Sequence, residues 1–400
     1  MESNFVLLVD DEPFQLKLLQ RQLAQNDIAG TIGCDATSAL RRMDEAETPP
    51  ELVFLDLNMP DMDGVEFLRQ LVKREFSGGL VLVSGEDERI LDTASRLANA
   101  HRLNVLGHLH KPVDPGALTT LLHRWRTATL PSSRRSRRMY AAEELELAIR
   151  RHELVNYYQP KVELSNGHLV GVEALVRWRH PVDGLVTPDQ FLDAAEDHGV
   201  IDDLTRCVLS GAVAQGRAWR DEGLDLRVAV NVSMANLKSL DFPDFVLAEI
   251  LRHGVSPADI ILEATESRLI KDVRMALDIL LRLRLKQVRL SIDDFGTGHS
   301  SLAQLRDLPF HELKIDRGFV SGACHSPTLA AIFMASHRMA RELGLTTVAE
   351  GVENLEDWNW LRRRGCDLAQ GCFIARPMPA EQVQPWLVEW EERRLTLVGV

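Results

Sequence analysis

The chain has 400 residues, 45% of them hydrophobic and 26% charged, and a formal net charge of −13. That length suits two domains, or at most three, with a composition that buries a real core. The acidic balance argues against direct DNA binding or adhesion to an anionic membrane, and no apolar run approaches a membrane span. The first run, "FVLLVD", is too short for a signal peptide. Cys34, Cys207, Cys324, Cys366 and Cys372 show no CxxC spacing, so neither a zinc signature nor a disulfide framework is expected. A cytoplasmic protein with reduced thiols is the plain expectation.

In chain order, "FVLLVD", "ELVFLDL", "GLVLVSG" and "LNVLGHLH" alternate with helical patterns. Near-continuous apolar runs of this kind suit a parallel sheet covered by helices on both faces. Polar residues stand at the ends of the runs: Asp10 and Asp11, then Asp56, then Ser84, and finally Lys111 before Pro112. Carboxylates converging on one edge would bind a hard cation such as Mg²⁺, and a hydroxyl and an ammonium beside them would hold phosphate oxygens.

This set, with "LDLNMPDMDG" around Asp56, resembles the receiver domain of two-component response regulators. The resemblance implies a flavodoxin-like, doubly wound α/β domain over residues 1–125. It implies that Asp56 accepts a phosphoryl group from a sensor histidine kinase. Asp10, Asp11 and Asp56 would hold Mg²⁺, while Ser84 and Lys111 would read the phosphate. His108 stands where this family often has tyrosine or phenylalanine.

Next comes "TATLPSSRRSRRMYAAEELELAIRR". Pro131, Ser132 and Ser133 break the preceding helix, and an amphipathic helix starts near Ala141. Arg134, Arg135, Arg137 and Arg138 suggest either a nucleic-acid or lipid patch or a solvated joint. The acidic whole favours the joint, so residues 126–140 are expected to be a linker.

Residues 141–395 have the size of a (β/α)₈ barrel. Their strand-like runs are "YYQPKVEL", "GVEALVRW", "LRVAVNVS", "DIILEATE", "VRLSIDDF", "ELKID", "TTVAEGV" and "CDLAQG". Polar residues alternate with apolar ones: Asn231 between Val230 and Val232, and Glu173 between Val172 and Ala174. Period two therefore sends the apolar set toward the helices and Glu173, Asn231, Glu263, Asp293 and Lys314 into the barrel mouth, with Asp294 next to Asp293 at the strand end. Carboxylates gathered so closely would resist ionisation or force the site apart. Two divalent cations, Mg²⁺ or Mn²⁺, would neutralise them.

The series "EAL" at 173–175, "NVS", "EATE", "DDFGTGHSSL", "KIDR", "AEGVE" and "AQG" resembles the EAL-domain phosphodiesterases, which hydrolyse cyclic di-GMP to pGpG. The resemblance implies a TIM-like (β/α)₈ fold and metal ligation by Glu173, Asn231, Glu263, Asp293 and Asp294. Glu350 would be the general base or a further metal-site carboxylate, and Lys314 would stabilise the attacking water or the phosphate. Gln370 and Glu353 would complete the site, and Glu266 would anchor the loop after Asp294. Gln159, Leu175, Arg177 and Gln370 would contact cyclic di-GMP. A homodimer or higher oligomer is also implied. His299 and Cys372 stand where the family often has tyrosine. The rival expectation is an inactive EAL domain that senses the dinucleotide or binds a protein.

Overall fold

A computed structural model describes residues 5–28, 31–46, 48–85, 88–101, 103–128, 140–265, 273–296 and 309–398. The chain divides into two compact units, 1–136 and 137–400.

In the first unit, strands β1 (Val6–Val9), β2 (Thr31–Cys34), β3 (Leu52–Asp56), β4 (Gly79–Ser84) and β5 (Asn104–His110) form one sheet. Its order is β2-β1-β3-β4-β5, and every pairing is parallel. Strand parity sorts the apolar residues into two cores. Leu7, Val9, Val53, Leu55, Leu80 and Leu82 pack on one face, under helices Ala36–Glu45, Gly64–Lys73 and Glu88–Ala100. Val6, Leu8, Leu52, Phe54, Val81 and Val83 fill the other, against Pro13–Gln25 and Pro115–Ala128. With both faces covered, the only wet part of the central strands is their ends. Asp35 and Asp63 cap two of the helices by accepting from the backbone N–H of Ser38 and Glu66, as short carboxylates do at helix starts.

The second unit is a closed barrel. Its strands are β6 (Leu154–Glu163), β7 (Leu169–His180), β9 (Arg227–Asn231), β10 (Ile260–Thr265), β11 (Arg289–Phe295), β12 (Glu312–Ile315), β13 (Thr346–Ala349) and β14 (Leu368–Ala369). They run around the ring in the order β6-β14-β13-β12-β11-β10-β9-β7, and β7 pairs back with β6. Short strands β8 (Gly184–Val186) and β15 (Met378–Pro379) extend β7 and β6.

One strand breaks the regular pattern. β6 runs antiparallel to both of its neighbours, with Gln159 opposite Glu173 and Val162 opposite Ala369. The other strands of the ring are mutually parallel. The outward set, including Val228, Val230, Leu262, Leu290, Ile292 and Leu313, joins a single core with the surrounding helices. The inward set carries the charge.

Candidate active site

Parallel strands deliver their inward residues to one mouth. The register places Glu263 opposite Asn231 on β9 and opposite Ser291 on β11, so Glu173, Asn231, Glu263 and Asp293 face a common space. Lys314, fully buried on β12, stands among them. Its Nζ lies 2.7 Å from Glu263 Oε2, 3.1 Å from Asp293 Oδ1, 3.4 Å from Glu173 Oε2 and 2.6 Å from Glu350 Oε1. Burial opposes the charge on Lys314, but the carboxylates around it raise its pKa well above the ordinary value.

One ammonium does not balance this set. Burial pushes the Glu263 carboxyl up to about 7, with Lys314 opposing the rise and Glu173 adding to it. Asp294 is pushed to about 6 by burial and by the adjacent Asp293. Glu350 is raised by burial, and Asp293 and Glu173 add to the rise while Lys314 opposes it. Glu173 goes the other way. Burial would raise it, but Lys314 and the hydrogen bonds from Gln370 and Asn231 hold it low.

Adjacent residues on a strand normally point to opposite faces. Asp293 and Asp294 nevertheless share this site, and each offers a carboxylate oxygen within 4.8 Å of the other's and of one from Glu350. The backbone explains how. Asp294 takes φ of 55°, in the left-handed region, and the β11–β12 register shifts between Ile292 and Phe295. An irregularity of this kind re-aims a side chain, and here it turns Asp294 back toward its neighbour. Gly296 follows at φ 97°, with Phe319 so close that a Cβ would lie 2.8 Å from the ring.

Amides tie the carboxylates together. Asn231 Nδ2 donates to Glu173 Oε1 at 2.7 Å, and Gln370 Nε2 donates to Glu173 Oε2 at 2.6 Å and to Gln159 Oε1 at 3.0 Å. Gln159 Nε2 donates in turn to the Ala375 carbonyl. The Gln370 Oε1 atom is buried without a hydrogen-bond partner. A donor set of carboxylate and amide oxygens with surplus negative charge fits hard divalent cations. Gly371 turns the chain beside Gln370, so close to Val352 that a Cβ would lie 2.3 Å from its backbone.

Beside the carboxylates lies a cavity of about 290 Å³, lined by Leu175, Ile201, Leu204, Asn231, Asp293 and Asp294 among others. Arg177 donates to the Val176 carbonyl and stands 5.6 Å from the Tyr157 ring centroid. Glu353 is placed differently: it pairs with Arg317 at 2.8 Å, 42% exposed. Glu266 and His299 lie outside the described residues, as do Arg134, Arg135, Arg137 and Arg138.

The first unit holds a smaller cluster at its strand ends. Asp10, Asp11 and Asp56 each offer an oxygen within 4.8 Å of the others. Lys111 Nζ reaches Asp56 Oδ2 at 2.7 Å and Asp10 Oδ2 at 2.8 Å. Burial raises the Asp56 pKa, and the Lys111 hydrogen bond opposes it. Ser84 is buried at the end of β4, and its carbonyl accepts from the Lys111 backbone N–H.

Residues 142–377 match the EAL domain family, and residues 6–123 match the response regulator receiver domain. The chain belongs to the EAL-domain family. Its first unit is a receiver domain. The chain is 33% identical to the cyclic di-GMP phosphodiesterase RocR of Pseudomonas aeruginosa, over 95% of this chain and 98% of that protein. It is 46% identical to the bifunctional diguanylate cyclase/cyclic di-GMP phosphodiesterase MucR of the same organism, over 60% of this chain. That match spans 35% of MucR. A solved structure of the MucR phosphodiesterase in complex with c-di-GMP superposes with a TM-score of 0.58, covering 60% of this chain and 98% of that one. No helix among the described residues is long and apolar enough to cross a membrane.

The EAL barrel also contains residues that motif reading passed over. Lys161 and Glu312 are both buried inside the barrel, 2.7 Å apart. The signal was present in "YYQPKVEL", where Lys161 follows Gln159 by two and so shares its face.

Proposed function

We propose that the chain is a response regulator that hydrolyses cyclic di-GMP to pGpG in its EAL domain, under control of phosphorylation at Asp56. The names of RocR and MucR supply the substrate class. The observation that carries the reading is the convergence of Asp293, Asp294 and Glu350 within 4.8 Å, beside Glu173 and Glu263.

Glu173, Asn231, Glu263, Asp293, Asp294 and Glu350 would hold two divalent cations, Mg²⁺ or Mn²⁺. Bound there, the ions supply charge neutralisation at the phosphate and a water of lowered proton affinity. Glu350, 2.6 Å from Lys314 Nζ and beside Asp293 and Asp294, receives the proton of the attacking water. Lys314 holds Glu350, Asp293 and Glu263 at fixed spacing and adds positive charge where the phosphate sits. Leu175, Ile201 and Leu204 give the neighbouring cavity an apolar wall for a guanine face. Gln159, Gln370 and Arg177 are the polar contacts to the dinucleotide, and Glu353 supports the rim through Arg317.

In the receiver domain, Asp10, Asp11 and Asp56 would hold Mg²⁺. Asp56 takes the phosphoryl group from a sensor histidine kinase, and Ser84 and Lys111 read it. The reading places the receiver at 1–125, the linker at 126–140 and the catalytic domain at 141–395. It assigns Glu266 to anchoring the loop after Asp294. It also places the protein in the cytoplasm, as a homodimer or larger assembly.

The test is an assay of the purified full chain on cyclic di-GMP with Mg²⁺, following pGpG. Turnover that stops in excess chelator supports the reading. Binding of the dinucleotide without turnover would make the domain a sensor instead. Intact-mass measurement after a small phosphodonor should show one added phosphoryl group on the native chain and none on Asp56→Asn.

A further inference from the structure

The barrel interior holds a second lysine for which the mechanism above has no use. Lys161 on β6 is 2% exposed, and its Nζ lies 2.7 Å from Glu312 Oε1 and 3.3 Å from Glu263 Oε1. Glu312 Oε1 also accepts from Ser291 Oγ at 3.2 Å. Ser291 and Glu312 precede Asp293 and Lys314 by two residues on their strands, which puts them one inward layer beneath the mouth. β6 arrives from the opposite direction, so the residue two beyond Gln159 also lies deeper than the mouth.

Glu263 is therefore held at both ends. Lys161 takes Oε1 from below, and Lys314 takes Oε2 at 2.7 Å. A carboxylate free to rotate would present either oxygen at variable angle, whereas one gripped at Oε1 offers Oε2 in a single direction. Outer partners that orient a metal-ligating side chain commonly set metal affinity as strongly as the geometry of the ligands requires.

We infer that Lys161, seated by Glu312 and Ser291, is a positioning residue that holds Glu263 in the orientation needed to ligate the cation. This rests on the metal reading above. The competing role is electroneutrality, with Lys161 present only to balance Glu312. Two substitutions separate these roles. Lys161→Met removes the grip and one charge. Lys161→Met with Glu312→Gln removes the grip but takes away one charge of each sign.

The experiment is calorimetric titration of Mn²⁺ into the full chain, alongside the Mn²⁺ electron paramagnetic resonance spectrum and the melting temperature. Both variants should bind Mn²⁺ about 10- to 100-fold more weakly than the native protein, with a changed spectrum. The double variant should melt higher than Lys161→Met. Glu312→Gln alone, which retains Lys161 and an oxygen acceptor at position 312, should weaken Mn²⁺ binding less than either Lys161 variant. Native affinity in the double variant would overturn the proposal in favour of charge balance. Failure of both variants to fold would overturn it in favour of a purely structural ion pair. A native protein that binds no Mn²⁺ would refute the metal reading itself, which is a separate result.

Discussion

The molecule builds two carboxylate clusters from the same parts, and they are tuned in opposite ways. In each, acidic residues stand at the ends of parallel strands with one lysine among them. In the receiver domain, Lys111 binds Asp56 and Asp10 while Asp11 remains exposed. In the barrel, Lys314 binds four carboxylates and is itself fully buried. Four carboxylates of the barrel cluster are fixed by one buried lysine, as suits a site whose geometry must be the same at each turnover. The difference lies in the depth of the lysine and in the number of its bonds, not in residue type.

The largest expected effect tests whether the barrel cluster is catalytic as a unit. Asp293→Asn and Glu350→Ala should each lower cyclic di-GMP turnover by about 10³-fold or more. Circular dichroism should show a folded protein in each case. Near-native turnover in either variant would reduce the cluster to a structural feature.

The next effect compares the two lysines directly. With chelator present, Lys314→Met should destabilise the barrel by about 3 kcal/mol, because it leaves buried carboxylates without their counter-charge. Lys111→Met should cost the receiver domain less, because Lys111 is itself 13% exposed and pairs with two carboxylates rather than four. Denaturant titration of each variant measures both. Equal losses would erase the distinction between a locked and an open cluster.

The pH response should follow the same contrast. The folded-state pKa values of Asp294, about 6, and Glu263, about 7, lie above ordinary carboxylate values. These two groups therefore hold more protons in the folded chain than in the unfolded one between about pH 4 and pH 7, and their contribution to stability falls as pH rises through that window. In chelator the barrel transition should weaken from pH 5 to pH 7. Added Mn²⁺ should flatten the slope by favouring the ionised form. A slope unchanged by Mn²⁺ would show that these carboxylates do not ligate it.

The smallest effect concerns the backbone. Asp294 sits in the left-handed region at φ 55°, where a residue with a Cβ is disfavoured by about 1 kcal/mol relative to glycine. Asp294→Gly should therefore raise the chelated protein's stability by about that amount, while it abolishes activity. Lower stability in that variant would mean that the carboxylate itself stabilises the turn.

The eight barrel strands were legible because period two shows directly in runs such as "VRLSIDDF" and "VAVNVS". The strand ends of the receiver were equally plain, since each apolar run stops on a polar residue. Other features were not legible. Alternation tells which face a residue takes but not which way its strand runs, so the reversed sense of β6 and the depth of Lys161 stayed hidden. The same rule would send Asp293 and Asp294 apart, and only the left-handed backbone at Asp294 reunites them. Glu353 occupies a motif position, and its pairing with Arg317 at 2.8 Å is a contact that motif spacing alone does not show.

The reversed strand also has a consequence for how the chain is made. β6 is the first barrel strand to be synthesised, and its second neighbour is β14, the last strand of the ring. The hydrogen bond from Gln370 to Gln159 spans 211 positions of sequence. Until that distant segment leaves the ribosome, the nascent sheet exposes one edge of β6 with unpaired backbone groups, a template for pairing with another chain. A transcript cut short before residue 368 would therefore yield an open, sticky sheet rather than a smaller barrel, and its product would aggregate rather than persist as a partial enzyme.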